Sequence, residues 1–290
     1  MSWRTVVISK SAKLDYQLGY MVVRQETVSK IHLSEIHMLI IETTAASFTA
    51  VLMAELVKSK VKVVFCDEKR NPLSELMPYY GSHDTSSKLR SQIKWDENTK
   101  NHVWTAIVTE KILQQAFLLE ECGKNECELL YQYVDEIEFG DATNREGHAA
   151  KVYFNALFGK SFTRGTDCLI NVALNYGYSI LLSSFTREIV ASGYTTQLGL
   201  FHDNMFNQFN LASDLMEPFR VLIDRKILDM DIEDFGSTEK RSIISVLSEP
   251  LNINYRNEIV SNAIKIYCKS IFEALENDNV KDIKFYRYEL

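Results

Sequence analysis

The stretch "YYGSHDTSSK", residues 79–88, divides this chain. It is dense in turn-formers and carries no apolar period. Residues on either side of it obey different patterns. Upstream, "WRTVVIS", "YMVVRQ", "EIHMLIIET" and "KVKVVFC" are short runs rich in Val and Ile, separated by polar turn residues, and read as strands. One helix interrupts them. In "SFTAVLMAELVK" the residues Phe48, Val51, Leu52 and Leu56 recur at helical spacing, with Ser47 as cap. Downstream, "KLRSQIKWDENTKNHVWTAIVTEKILQQAFLLEECG" carries apolar residues every three or four positions and stops at Gly123. "ECELLYQYVDEIEFG" continues in the same manner. Further helices are expected to begin near Asn144, Asp167 and Ser213, and another to run from Tyr255 to about Leu275. The fold class is therefore α+β. A β-rich N-terminal domain (1–78) is joined by a linker (79–88) to a larger, all-α C-terminal domain (89–290). The charged tail "NDNVKDIKFYRYEL" is left undecided between packing and floating.

Composition bounds the function. Apolar residues make up 46% and charged residues 24% of 290, with only 11 Gly and 4 Pro, so this is a globular chain rather than a disordered one. Its first residues are not expected to form a secretory signal. The uncharged stretch from Cys168 to Thr186 contains Asn171, Asn175, Gly177 and several serines, which favours a buried helix over a membrane span. The five cysteines form no CxxC pair and read as reduced thiols of a cytoplasmic protein. Net charge is −7, which excludes a protein coated in nucleic acid but not one with a local basic groove. Residues 1–80 hold 10 Lys and Arg against 8 Asp and Glu; the remainder holds 22 against 31. Lys58, Lys60 and Lys62 in "KSKVKV" suit an exposed edge strand, where alternate lysines deter pairing.

Chemistry concentrates in two segments. In "HDNMFNQFNLASDLMEPFR", residues 202–220, Asp214 and Glu217 sit among Leu215, Met216 and Phe219. With Ser213 as N-cap they would be first-turn acids that favour the helix dipole. Pro218 disturbs that reading, because it lacks an N–H and resets a helix. In "DATNREGHAAKVYFNALFG", residues 141–159, Thr143 or Asn144 can cap a helix on which Glu146, Ala149, Ala150 and Tyr153 share a face. An acid beside two small side chains lets a backbone or ligand approach closely; a dipole acid remains the plain alternative. Tyr153 reads as core. Together Glu146, His202 and Glu217, with Asp214 beside them, offer oxygen and imidazole ligands and no thiolate. That set suits Mg²⁺ or Mn²⁺ better than zinc.

"NREGHAAKVYF", "LGLFHDN" and "DLMEPFR", in that order and at these separations, resemble the CRISPR-associated spacer-acquisition integrase family. The likeness spans nearly the whole chain, and its length and style are similar to the type II branch. The resemblance implies a metal-dependent DNA integrase and endonuclease that inserts short duplex DNA into a CRISPR array by 3′-OH attack on a phosphodiester. It implies that Glu146, His202 and Glu217 hold the metal and that Asp214 assists; some branches have aspartate where Glu217 stands. It also implies a homodimer formed through the N-terminal domain, which builds a hetero-hexamer with a small second CRISPR-associated protein, together with double-stranded DNA and possible further type II adaptation proteins. Arg145, Lys151, Lys160, Arg164, Arg187 and Arg220 lie near the site in sequence and are candidate phosphate contacts. Two other readings stay open: a non-catalytic nucleic-acid scaffold, and a metal-dependent phosphoesterase acting on other substrates.

Overall fold

A computed structural model describes residues 4–79 and 82–287. The N-terminal strands are β1 (Arg4–Ile8), β2 (Ala12–Gln17), β3 (Tyr20–Arg24), β4 (Val28–His32), β5 (Ile36–Ile41) and β6 (Ala46–Phe48). Helix α1 (Ala50–Lys58) follows, then β7 (Lys62–Cys66) and β8 (Pro72–Glu75). They form two four-stranded sheets, in the orders β1-β5-β7-β8 and β4-β3-β2-β6. In the first sheet β1, β5 and β7 run parallel. Every residue of β5 is buried, because both faces of its sheet are covered. Leu39, Ile41 and Val63 pack into the N-terminal core with Leu14, Met21 and Leu52. Met38, Ile40 and Val64 face the other way, into the core of the helical part.

That part contains α2 (Thr85–Gln92), α3 (Glu97–Glu121), α4 (Cys127–Asp135), α5 (Arg145–Phe158), α6 (Leu169–Ala191), α7 (Asn210–Leu215), α8 (Arg220–Leu228) and α9 (Ser237–Ser245). Strands β9 (Pro250–Ile253) and β10 (Arg256–Ile259), helix α10 (Val260–Asn277) and strand β11 (Tyr286–Arg287) complete it. α6 covers most of the uncharged stretch and runs buried through the centre. Gly177 lets α8 approach it: a Cβ there would lie 2.3 Å from Ile223 Cγ2. Among the described residues no helix is long and apolar enough to cross a membrane. All five cysteines are free thiols.

The strand-then-helix order stands as expected, with several corrections. The helical part is not all-α. Asn254 and Tyr255 both adopt positive φ, 54° and 59°, which makes a tight hairpin of β9 and β10 where a helix was expected to begin. The tail packs as far as Arg287, the last described residue: β11 pairs with β9, and Tyr286 is fully buried. Of the expected linker, residues 80 and 81 lie outside the described residues, and helix α2 already begins at Thr85. The long helical run breaks before Asp96, whose carboxylate accepts the N–H groups of Asn98 and Thr99 and caps α3. Thr49, not Ser47, caps α1.

The lysine stripe is no edge. Lys58 ends α1, while β7 lies between β5 and β8 with Lys62 buried against Glu75. Ser213 caps nothing, because the helix starts three residues earlier at Asn210. Pro218 does reset the chain: α7 stops, a 3₁₀ turn spans Glu217–Phe219, and α8 starts at Arg220.

Candidate functional site

Three stretches of chain meet beside the middle of α3. Its buried stripe carries Trp104, Val108, Lys111 and Gln115 at helical spacing, so a lysine stands where an apolar residue would be ordinary. Glu146 arrives at the N-terminus of α5. Neither Thr143 nor Asn144 caps that helix with its side chain. Asp141 does so instead: its Oδ1 accepts the Arg145 N–H at 2.7 Å and its Oδ2 the Glu146 N–H at 3.2 Å. This fixes the direction in which α5 leaves the turn and hence where Glu146 stands.

His202 arrives on the loop before α7, and Asp214 organises that loop. The Asp214 carboxylate is fully buried. It accepts backbone N–H groups from Leu200 (2.6 Å), Phe201 (3.1 Å) and His202 (3.2 Å), and lies 2.5 Å from His202 Nδ1. A carboxylate has no proton to give, so Nδ1 carries the hydrogen and Nε2 of the neutral ring keeps its lone pair. Gly199 makes this wrap possible: a Cβ there would lie 2.3 Å from the His202 carbonyl oxygen and 2.7 Å from Asp214 Oδ2. Below the loop Phe201 stacks on Trp104 at 4.6 Å between centroids, and the His202 ring meets the Trp104 ring edge-on at 6.0 Å. The hydrogen bond to Asp214 raises the His202 pKa above its ordinary value, against the burial that lowers it; Glu217 and Glu146 raise it further.

Glu217 comes from the 3₁₀ turn, held from behind by Tyr286, whose hydroxyl donates to the Pro218 carbonyl at 2.9 Å. Its Oε1 accepts from Arg220 Nε at 3.0 Å, and its Oε2 lies 2.5 Å from Lys111 Nζ. The same Lys111 ammonium donates to Glu146 Oε1. Glu146 and Glu217, distant in sequence, thus share one cation. Burial alone would raise the Glu217 carboxyl, but Arg220 and Lys111 outweigh it and hold it at about 2. Burial likewise opposes the Lys111 charge, and the two glutamates outweigh it, so its pKa rises.

A second buried carboxylate lies one layer deeper. Asp224 accepts the Tyr153 hydroxyl at 2.8 Å and the Tyr178 hydroxyl at 2.5 Å. Burial pushes it up to about 6 despite those hydrogen bonds and the nearby Arg220 and Arg164. Tyr153 is core, as expected, and joins the helix of Glu146 to the helix of Arg220.

Of the expected site residues, Glu146 and Glu217 meet, and His202 stands near enough for both to act on its charge. Among the described residues no three His, Cys, Asp or Glu side chains stand in ligating geometry. The reason is local, since an ammonium fills the gap between the two glutamates. The basic residues divide. Arg145 pairs with Glu136, Arg164 binds Asn171 and Asn175, Arg187 binds the Lys60 carbonyl and Glu188, and Arg220 binds Glu217. Lys151 and Lys160 are exposed. Sequence reasoning missed Lys111, Asp141, Gly199 and Asp224. Only Lys111 carried a signal, as a charge inside an apolar stripe.

Comparison with known proteins agrees with this architecture. Residues 5–234 match the family described as CRISPR associated protein Cas1. The chain is 32% identical over 291 residues to a CRISPR-associated endonuclease Cas1 of Neisseria meningitidis serogroup C, covering 98% of this chain and 96% of that protein. It is 27% identical over 268 residues to a Cas1 endonuclease of Pyrobaculum aerophilum, covering 84% of this chain and 88% of the other. Among solved structures, a Cas1 protein from Thermotoga maritima superposes with a TM-score of 0.77 at 14% identity, covering 94% and 97% of the two chains. A casposase bound to its integration product gives 0.77 at 17% identity, covering 96% and 92%. This chain belongs to the CRISPR-associated Cas1 family.

Proposed function

We propose that this protein is a divalent-metal-dependent DNA integrase and endonuclease that joins the 3′ ends of short duplexes into a CRISPR array. One observation carries the reading most of the way. Two glutamates from separate helical segments close on a single cation, with an oriented imidazole beside them.

The donor set fits Mg²⁺ or Mn²⁺. Glu217 Oε2 is buried and, although in ion-pair contact with Lys111, has no aligned hydrogen-bond donor. His202 has its Nδ1 tied to a carboxylate, the arrangement that leaves Nε2 free to ligate and fixes the ring. Glu146, His202 and Glu217 would hold the ion. Bound there, it would stabilise charge on the attacked phosphate and lower the pKa of the incoming 3′-hydroxyl.

The chain's own residues do the rest. Asp214 positions His202 rather than touching the reacting atoms, because its oxygens are spent on the loop and the ring. Arg220 keeps Glu217 ionised. The DNA end is itself the nucleophile, so the protein needs no covalent intermediate. Lys151 and Lys160, exposed on and just after α5, guide the DNA through phosphate contacts; removing either should flatten the salt dependence of binding by about one counterion. We also propose a homodimer acting with a small second CRISPR-associated protein. Supporting this, a similar fold (TM-score 0.74, 17% identity, 97% of this chain and 36% of the other) occurs in a Cas6-RT-Cas1–Cas2 complex.

The test is a strand-transfer assay with that partner present, using duplexes with free and blocked 3′ ends, with and without Mn²⁺. Joining should require the 3′-OH and the ion. Glu146→Ala, His202→Ala and Glu217→Ala should abolish it while salt-sensitive DNA binding persists. A His202→Ala protein that joins DNA as fast as the unaltered chain would overturn the assignment. Metal-dependent hydrolysis of a small phosphate ester without DNA binding would favour a phosphoesterase instead.

A further inference from the structure

Lys111 sits at the centre of the site, yet the reaction as described gives it no task. Its side chain is 6% exposed, and its ammonium touches both Glu146 Oε1 and Glu217 Oε2. Glu217 cannot turn to another oxygen, since Oε1 is held by Arg220. We infer that Lys111 is a resident cation that competes with the divalent ion for the two glutamates and is drawn off by DNA phosphate. The inference rests on the reading of Glu146, His202 and Glu217 as cation ligands.

The argument is one of space and charge. A small divalent cation takes carboxylate oxygens at roughly 2.0–2.6 Å. An ammonium 2.5 Å from one of those oxygens and bonded to the other occupies the same volume. The two cations cannot share it. For the ion to enter, Lys111 must give up two charge-assisted contacts in a nearly dry setting, where a charge without a partner is costly. It therefore needs a replacement anion, and the phosphodiester of bound DNA is the one that the reaction itself brings.

The lysine can move in a way its neighbour cannot. Four flexible methylenes carry its charge, whereas Arg220 is pinned over the Tyr178 ring at 4.7 Å and to Glu217. Ion and DNA must then bind cooperatively, each raising the affinity for the other by the same factor. Without DNA the glutamates stay closed on Lys111, which keeps a metal-dependent nuclease idle.

The experiment measures Mn²⁺ binding, not catalysis. Free Mn²⁺ is followed by electron paramagnetic resonance as it is titrated into the full chain, alone and with a 3′-blocked duplex, with the duplex alone as blank. The unaltered protein should bind Mn²⁺ about tenfold or more tightly when duplex is present. Lys111→Met, which keeps the stem and removes the charge, should bind Mn²⁺ about tenfold more tightly than the unaltered chain without DNA, and gain little from it. Adding His202→Ala to Lys111→Met should abolish the tight binding. Should Lys111→Met fail to fold, the two titrations of the unaltered protein decide, with Lys111→Arg as a variant that keeps the charge and the weak DNA-free binding. Equal affinity in Lys111→Met and the unaltered chain, or an affinity indifferent to duplex, overturns the inference and leaves the metal reading standing. No site-specific Mn²⁺ binding in any form overturns the metal reading itself.

Discussion

Glu217 and Asp224 lie seven residues apart, about two turns along the same bent segment, and both are buried. They behave in opposite ways. Glu217 faces Arg220 and Lys111 and is held at about 2. Asp224 faces two tyrosine hydroxyls and is pushed up to about 6. Burial penalises charge at both positions, so burial is not what separates them. Full cations on hydrogen-bonding atoms overcome desolvation, while neutral donors with cations at one remove do not. The acid held charged between α3 and α8 is surrounded by cations. The acid that ties the helices together beneath it is surrounded by hydroxyls.

The largest effect should come from making Glu217 resemble Asp224. Arg220→Met removes one of its two cations and should cost about 4 kcal/mol at neutral pH, as breaking one side of a buried pair does. The loss should shrink as the pH falls below 4.5 and Glu217 protonates, and denaturant unfolding at neutral and at acid pH reads it. In the unaltered protein Glu217 has a folded pKa below its unfolded value of 4.5. Its contribution is therefore present above pH 4.5 and is lost as pH falls towards 2.

Asp224 has the opposite sign. Its folded pKa, about 6, exceeds the unfolded 3.8. The stability that it lends is full below pH 3.8 and is lost as pH rises through 6, a change of about 3 kcal/mol. Unfolding curves of Asp224→Asn and the unaltered chain between pH 4 and 7 should diverge by that amount, with the variant lacking this decline. Parallel curves would break the comparison.

Asp214 offers a third case, a buried carboxylate held chiefly by backbone N–H groups. Asp214→Asn should cost about 2 kcal/mol, since one amide oxygen cannot serve three N–H donors and an imidazole. It should also let the His202 pKa fall back towards 6.5, which NMR titration of the ring would detect. The smallest effect is expected for Tyr153→Phe. Removing one hydroxyl from Asp224 should cost about 1 kcal/mol and raise that carboxyl further. No change in its titration would mean that the hydroxyls do not matter.

Much of this molecule is legible in one dimension because its signals are local. The Val- and Ile-rich runs favour a pleated, half-buried backbone and do form strands, and Pro218 interrupts a helix by lacking an N–H. Glu146 and Glu217 drew notice as carboxylates amid small or apolar neighbours, and His202 joined them through the resemblance carried by its motif. Local signals also misled. Asn254 and Tyr255 look unremarkable, yet their left-handed backbone replaces the start of a helix with a hairpin. Lys58, Lys60 and Lys62 alternate as on an edge strand, yet a helix ends and a central strand begins among them.

Taken by itself, then, the order of residues determined the strand-rich first part and the helical second part, since each follows from neighbours a few positions away, and it suggested the acid–imidazole–acid set through the order and separation of three motifs. Only the tertiary structure decided what surrounds those groups. Arg220 is a local neighbour of Glu217, three residues on, but Lys111 on α3 and the tyrosines of α5 and α6 reach the two buried acids from far along the chain. A carboxyl's charge is set by whatever lies within a few ångströms of it, and that is a property of packing rather than of sequence spacing.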